Sequence, residues 1–194
     1  PAALRTDAQY TKGVPNTWPA VGDHLKARLG CAFPVLASLS SRSFLGKRVI
    51  VALATVLIDN YDDGSSIVTV RTKILAGAIF ARFVRSAALA RDFDALAAAF
   101  TVDQQHLAGA RALAEKAVDP TAQTSSLPEA LATLDNTTQC WLLLARAIVP
   151  SPAEVSSDLV RLLKLAKLDP QGVVELVNFI AVTQLLYRLS EFFQ

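Results

Sequence analysis

Chemistry in this chain has few carriers: two histidines, His24 and His106, and two cysteines, Cys31 and Cys140. A cysteine reacts as its thiolate, which needs a positive neighbour or a helix N-terminus to hold the charge. Cys140, in QCWLLLAR, falls near the start of an expected helix, but no His or second Cys lies within a turn of it. A buried, inert thiol is the expectation for Cys140 and for Cys31, both of which have apolar neighbours. His106, in DQQHLAGARALAEK, falls on an amphipathic helix, as a surface or interface histidine or as a proton-transfer group. The remaining charge pattern is basic. Arg71, Lys73, Arg82, Arg85 and Arg91 recur along one side of an apolar helix, as a solvated face or as the contact for an acidic partner. His106 and Cys140 are therefore the candidate catalytic residues. Arg82 and Arg85 are the candidate ligand-binding residues, because a guanidinium fork suits a carboxylate.

Other motifs are absent. Asp59–Ser66 (DNYDDGSS) carries three Asp and a Gly but lacks the DxDxDG spacing and the bidentate Glu of a calcium loop, so it reads as a solvated loop. No phosphate loop, GxGxxG, HExxH, zinc spacing, GxSxG or helical Glu-x-x-His pair occurs. No metal site and no cofactor are expected. A net charge of +2 without a Lys/Arg block argues against a nucleic-acid partner. The longest charge-free apolar run in the first half, Val49–Ile58, is about half of the roughly 20 residues that cross a bilayer. The last helix carries Glu175, Arg188 and Glu191, so no membrane span is expected. The start PAALRTDAQYTKG lacks the basic and apolar blocks of a secretory signal, and Pro1 fits removal of an initiator Met. Together with two free thiols this points to the cytoplasm. No methionine occurs, although an apolar helical chain of this length ordinarily carries several.

The elements that must position these residues are helices. Hydrophobic content is 52%, mostly Ala, Leu and Val, and no stretch alternates with period two. Residues 1–16 read as an extended arm. A helix runs from Thr17 to Leu29 with Gly30 as its stop. Phe33-Pro34 opens a short helix to Leu39, and Phe44–Ile58 follows. Ser66 is expected to cap one long helix, Ile67–Ala90, and Asp92 to open a short one to Phe100. Thr101–Gln104 resembles a capping box leading a helix to Ala117. Asp119–Pro128 is the best linker. Asp135 precedes a helix Asn136–Val149. Ser156 or Ser157 caps Asp158–Lys167, with a Leu159, Leu162, Leu163, Ala166 stripe.

Asp169-Pro170 then opens the last and longest helix, capped by the carboxylate and with Pro at the first position, where its missing N–H costs nothing. About 22 residues there span roughly 33 Å. This helix is apolar around its whole circumference, so it is expected to be buried among helices or in a subunit interface. The fold class is all-α, a bundle of about eight or nine helices. Residues 1–118 form an N-terminal helical half and 129–194 a C-terminal antiparallel three-helix unit, in one compact domain.

The last 60 or so residues add a resemblance. Leu134-Asp135, CWLLLARAIV, and SPAEVSSDLVRLLKLAKLDPQGVVELVNFIAVTQLLYRLSEFF are similar to the C-terminal part of peroxidase-related proteins of the alkylhydroperoxidase D-like (carboxymuconolactone decarboxylase) superfamily. The pattern is carried by Leu134, Asp135, Pro152, Val155, Ser156, Leu168, Asp169, Glu175, Asn178, Arg188 and Leu189. Leu25–Leu45 (LKARLGCAFPVLASLSSRSFL) is similar to that group's opening helices. The resemblance implies an alkylhydroperoxidase D-like fold and assembly as dimers or trimer-based oligomers. Active members resembling this chain reduce peroxides with a Cys-x-x-Cys pair, served by an upstream Glu and a His four residues on. One register places Ala81, Val84 and Ala88 at those positions; the other places Ala99, Val102 and His106. Neither holds a thiol, so the peroxide has no nucleophile.

Three functions follow. The first is a homo-oligomeric, degenerate member of the superfamily that binds a small apolar or acidic ligand between helices, or serves as a scaffold. The second is a non-thiol lyase or decarboxylase acting on a small carboxylate, with His106 and Arg82 or Arg85. The third is an unrelated all-α interaction module.

Overall fold

Thr69 starts the helix against which most of the others pack. Its hydroxyl accepts from the Thr72 N–H at 3.2 Å. The computed structural model describes residues 20–31, 52, 53, 56, 60, 61, 66–116 and 127–192. Among them are eight helices and no strand: α1 (Ala20–Leu29), α2 (Val70–Phe83), α3 (Ala87–Ala99), α4 (Gln104–Ala114), α5 (Glu129–Ala132), α6 (Asn136–Ile148), α7 (Ser157–Leu165) and α8 (Pro170–Phe192). The chain is all-α. In α2 every residue from Thr72 to Ala81 is buried. A helix dry on all sides needs neighbours on all sides, and α3, α4, α6 and α8 all pack on α2. The two halves are thus joined through α2, since α6 and α8 come from the C-terminal half.

Local capping reads through where the signal is local. Asp135 accepts from the Thr138 N–H at 2.9 Å and opens α6. Ser156 accepts from Leu159 at 3.1 Å and opens α7, whose Leu159 and Leu163 are buried. Asp169 accepts from Gln171 at 2.7 Å and opens α8. Gly30 closes α1 with a φ of 74°.

Elsewhere the structure corrects the expectation. Ile67–Ala90 is not one helix. The Arg85 N–H donates to the Arg82 carbonyl at 3.1 Å and the Ser86 N–H to the Ala81 carbonyl at 3.0 Å. Arg85 is left-handed, with φ 56°. This double bond closes α2. The Ser86 hydroxyl then accepts from Leu89 at 3.3 Å and opens α3. No Gly or Pro marks the break. Asp92, expected as a helix start, lies inside α3 and is buried. Thr101 closes α3 in the same left-handed way, at φ 50°. The cap of α4 is Asp103, which accepts from Gln105 at 2.6 Å. The short α5 falls where no helix is expected.

The C-terminal helix is buried along one side only within the single chain. Leu176, Phe179, Ile180 and Leu186 are buried, but Val174, Val177 and Leu185 are 69%, 45% and 48% exposed. With Ala181 they form one outward stripe. Among the described residues α2 and α6 pack most extensively along α8, drying one side of a helix that is apolar on both. The arm 1–16, the Phe33–Leu39 helix, and most of Phe44–Ile58, Asp59–Ser66 and Asp119–Pro128 lie outside the described residues.

Candidate functional site: an arginine-lined cleft

Arg82 ends α2, Arg85 sits in the turn behind it, Arg111 lies on α4 and Arg146 on α6. Among the described residues all four line one open cleft of about 1030 Å³. Its floor is apolar and made of small side chains: Ala78, Ala81 and Ala114 are buried there beside the ring of Phe93. Four elements converge at this point with methyl groups where larger side chains would close the space. The rim is charged. Arg82 Nε donates to Glu115 Oε1 at 2.8 Å, and Arg111 pairs with Asp94. Both pairs stand a third or more in solvent, and exposed ion pairs of this kind contribute roughly 0–1 kcal/mol. Four guanidinium groups meet three carboxylates, counting Glu154 on Arg146, so the cleft carries a surplus of one positive charge.

Arg146 differs from the rest. Its side chain is 7% exposed. Nη1 donates to Glu154 Oε2 at 3.3 Å, and the guanidinium lies 5.0 Å from the centroid of the Phe83 ring, a cation–π geometry. Nε is buried and has no hydrogen-bond partner among the described residues. An unmatched buried donor beside a charge costs about 1–3 kcal/mol or more. Arg85 is exposed and has no partner among the described residues.

His106 lies elsewhere. It lines a second cavity, of about 740 Å³, with Thr69, Arg71, Val102, Asp103 and Asp135. Thr69, Asp103 and Asp135 are the caps of α2, α4 and α6, so three helix N-termini meet here. His106 Nε2 is 2.9 Å from Thr133 Oγ1. The Thr138 hydroxyl holds the Asp135 carboxyl below its usual range against the opposing effect of burial. His106 and the Arg82–Arg85 pair therefore face different cavities within one chain. Of the two motif registers, Ala81 sits on the floor of the first cleft, and Val102 with His106 in the second.

Cys140 is fully buried in α6. Burial, and then the Asp135 charge, push its thiol above the ordinary value, the reverse of what an activated cysteine requires. Cys31 is also buried, and neither cysteine is in a disulfide.

Lys73 corrects the basic stripe. It is 1% exposed, and its Nζ donates to the Asn60 carbonyl at 2.8 Å and to Ser66 Oγ at 3.0 Å. Glu175 Oε1 lies 2.5 Å away. The other Glu175 oxygen accepts from the Ile67 N–H at 2.9 Å and the Val68 N–H at 3.3 Å. Burial pushes Glu175 upward, but the Lys73 hydrogen bond, the Ile67 and Val68 donors and the Lys73 charge outweigh it and hold the carboxyl below its ordinary value. This pair ties α8 to α2.

Arg111 and Arg146 are the site residues that the sequence pattern did not single out. The signal for Arg146 is its isolation: one guanidinium inside CWLLLARAIV. No known protein family, curated protein or solved structure matches this chain.

Proposed function

We propose that this chain is a helical binding protein for small organic anions and that the arginine cleft is its site. The observation that carries the reading is Arg146: a guanidinium held in a nearly dry position, its Nε unmatched, at the wall of a cleft with excess positive charge. Three further arginines from other elements face the same space, which is the arrangement for oxyanion capture. Calorimetric titration of the intact chain with benzoate at low ionic strength tests it. Binding is expected to weaken as salt rises and to fall tenfold or more in Arg146→Gln, which removes a charged donor worth about 1.5–3 kcal/mol. A wild-type chain that takes up no benzoate overturns the proposal.

The proposal includes self-association through α8. The outward stripe of Val174, Val177, Ala181 and Leu185 is free of charge up to Arg188, because Glu175 is turned in to Lys73. Such a stripe is ordinarily covered in an oligomer. Sedimentation velocity checks this: a monomer at tens of micromolar would rule it out. Kinship to the alkylhydroperoxidase D-like superfamily is part of the same proposal, supported by the residues from Leu134 to Leu189 and by the all-helical class.

A further inference from the structure

Deepening the anion-binding reading and resting on it, we infer that the ligand is a monocarboxylate with a hydrocarbon body, seated with its charge at Arg146 and Arg85 and its body on the alanine floor. Two separate features of the cleft divide the ligand this way. The first is the rim. Arg82 and Arg111 each have a carboxylate already; Arg146 has Glu154 on Nη1 but keeps Nε unmatched, and Arg85 has no partner among the described residues. A carboxylate entering the cleft has Arg85 as its open cation and the Arg146 guanidinium in the wall as its second. The second is the floor. Ala78, Ala81, Ala114 and Phe93 line it with hydrocarbon alone, which offers a bare inorganic anion no hydrogen bond.

The backbone of Arg85 supports the assignment independently. Its φ of 56° is a conformation in which glycine is the residue of lowest cost. An arginine there carries strain, its side chain is exposed, and it lines the cleft. The side chain is thus kept at the expense of stability, which is expected of a group that contacts ligand.

The test is a homologous series titrated calorimetrically against the intact chain: acetate, butyrate and hexanoate, with inorganic phosphate and hexylamine as comparisons. Affinity should rise about fourfold per added methylene, the fold-change equivalent to about 0.8 kcal/mol of buried CH₂. Hexylamine should not bind. Arg85→Gly should lower the affinity of every carboxylate by a similar factor of about ten while raising the urea midpoint, so a loss of binding cannot be ascribed to unfolding. Acetate, hexanoate and phosphate binding equally would leave the anion site standing and overturn this inference. No binding by any anion would overturn the anion site itself. Hexylamine binding as well as hexanoate would overturn both; an Arg85→Gly chain that binds hexanoate as the wild type does would overturn the placement of the carboxylate and with it this inference.

Discussion

Lys73 holds its nitrogen without access to water, on a side chain 1% exposed, with three oxygens around it. Asn60, Ser66 and Glu175 supply them. Replacing it by methionine would keep the stem and delete the charge, leaving Glu175 with two backbone donors and no counter-ion. Breaking a buried pair from one side costs about 3–5 kcal/mol. Because Glu175 is 22% exposed, the lower end is expected, about 3 kcal/mol in urea unfolding of Lys73→Met. The pH dependence has a definite sign. Glu175 is held below its ordinary value of 4.5 in the folded state, so its contribution is complete above about pH 4.5 and is lost as the pH falls through the lower, folded value. Acid titration of stability should therefore show a limb below that pH which shrinks in Lys73→Met; an unchanged limb would assign the acid sensitivity to other carboxylates. Thr101 is a second residue-scale case. A β-branched residue at φ 50° is strained, its side chain is exposed, and glycine removes the strain. Thr101→Gly should gain about 1 kcal/mol, read as a higher urea midpoint.

At the scale of elements, α2 and α3 pack closely because Gly77 lets them. A Cβ at Gly77 would fall 2.0 Å from the Phe93 ring. That ring is 3% exposed and stacks edge-on against Phe179 at 6.4 Å, so a methyl group at Gly77 displaces it from that contact. Gly77→Ala should cost about 2 kcal/mol, as overpacking outweighs the helix propensity gained; a neutral result would show that α3 can shift. The helix boundaries illustrate what is legible. Asp135, Ser156 and Asp169 act within three residues of themselves, and the sequence shows all three. The break at Val84–Ser86 has no such mark. Arginine takes the position glycine usually fills, and Ser86 becomes a cap only because the chain has turned. Thr101 misleads for the same reason, since the true cap of α4 is Asp103.

For the whole molecule, the proposed self-association rests on the exposed side of α8. Leu185 is half exposed in the single chain, so an aspartate there meets water and not a dry core. Leu185→Asp should keep the helical circular dichroism and lose the oligomer in sedimentation velocity. Loss of fold in that variant would mean that α8 is covered within its own chain. The cleft belongs to this scale too, for its four arginines come from positions 82 to 146 and no short motif unites them. Sequence alone determined the all-helical class, the position of the strongest caps and the absence of a cysteine pair, because helix hydrogen bonds and caps reach only four residues along the chain. Tertiary structure decided which apolar helix became the centre, that Lys73 left the basic stripe for the interior, and that Arg111 and Arg146 joined Arg82 and Arg85. Burial and charge pairing depend on neighbours far away in sequence, and apolarity says that a helix side needs covering without saying by what.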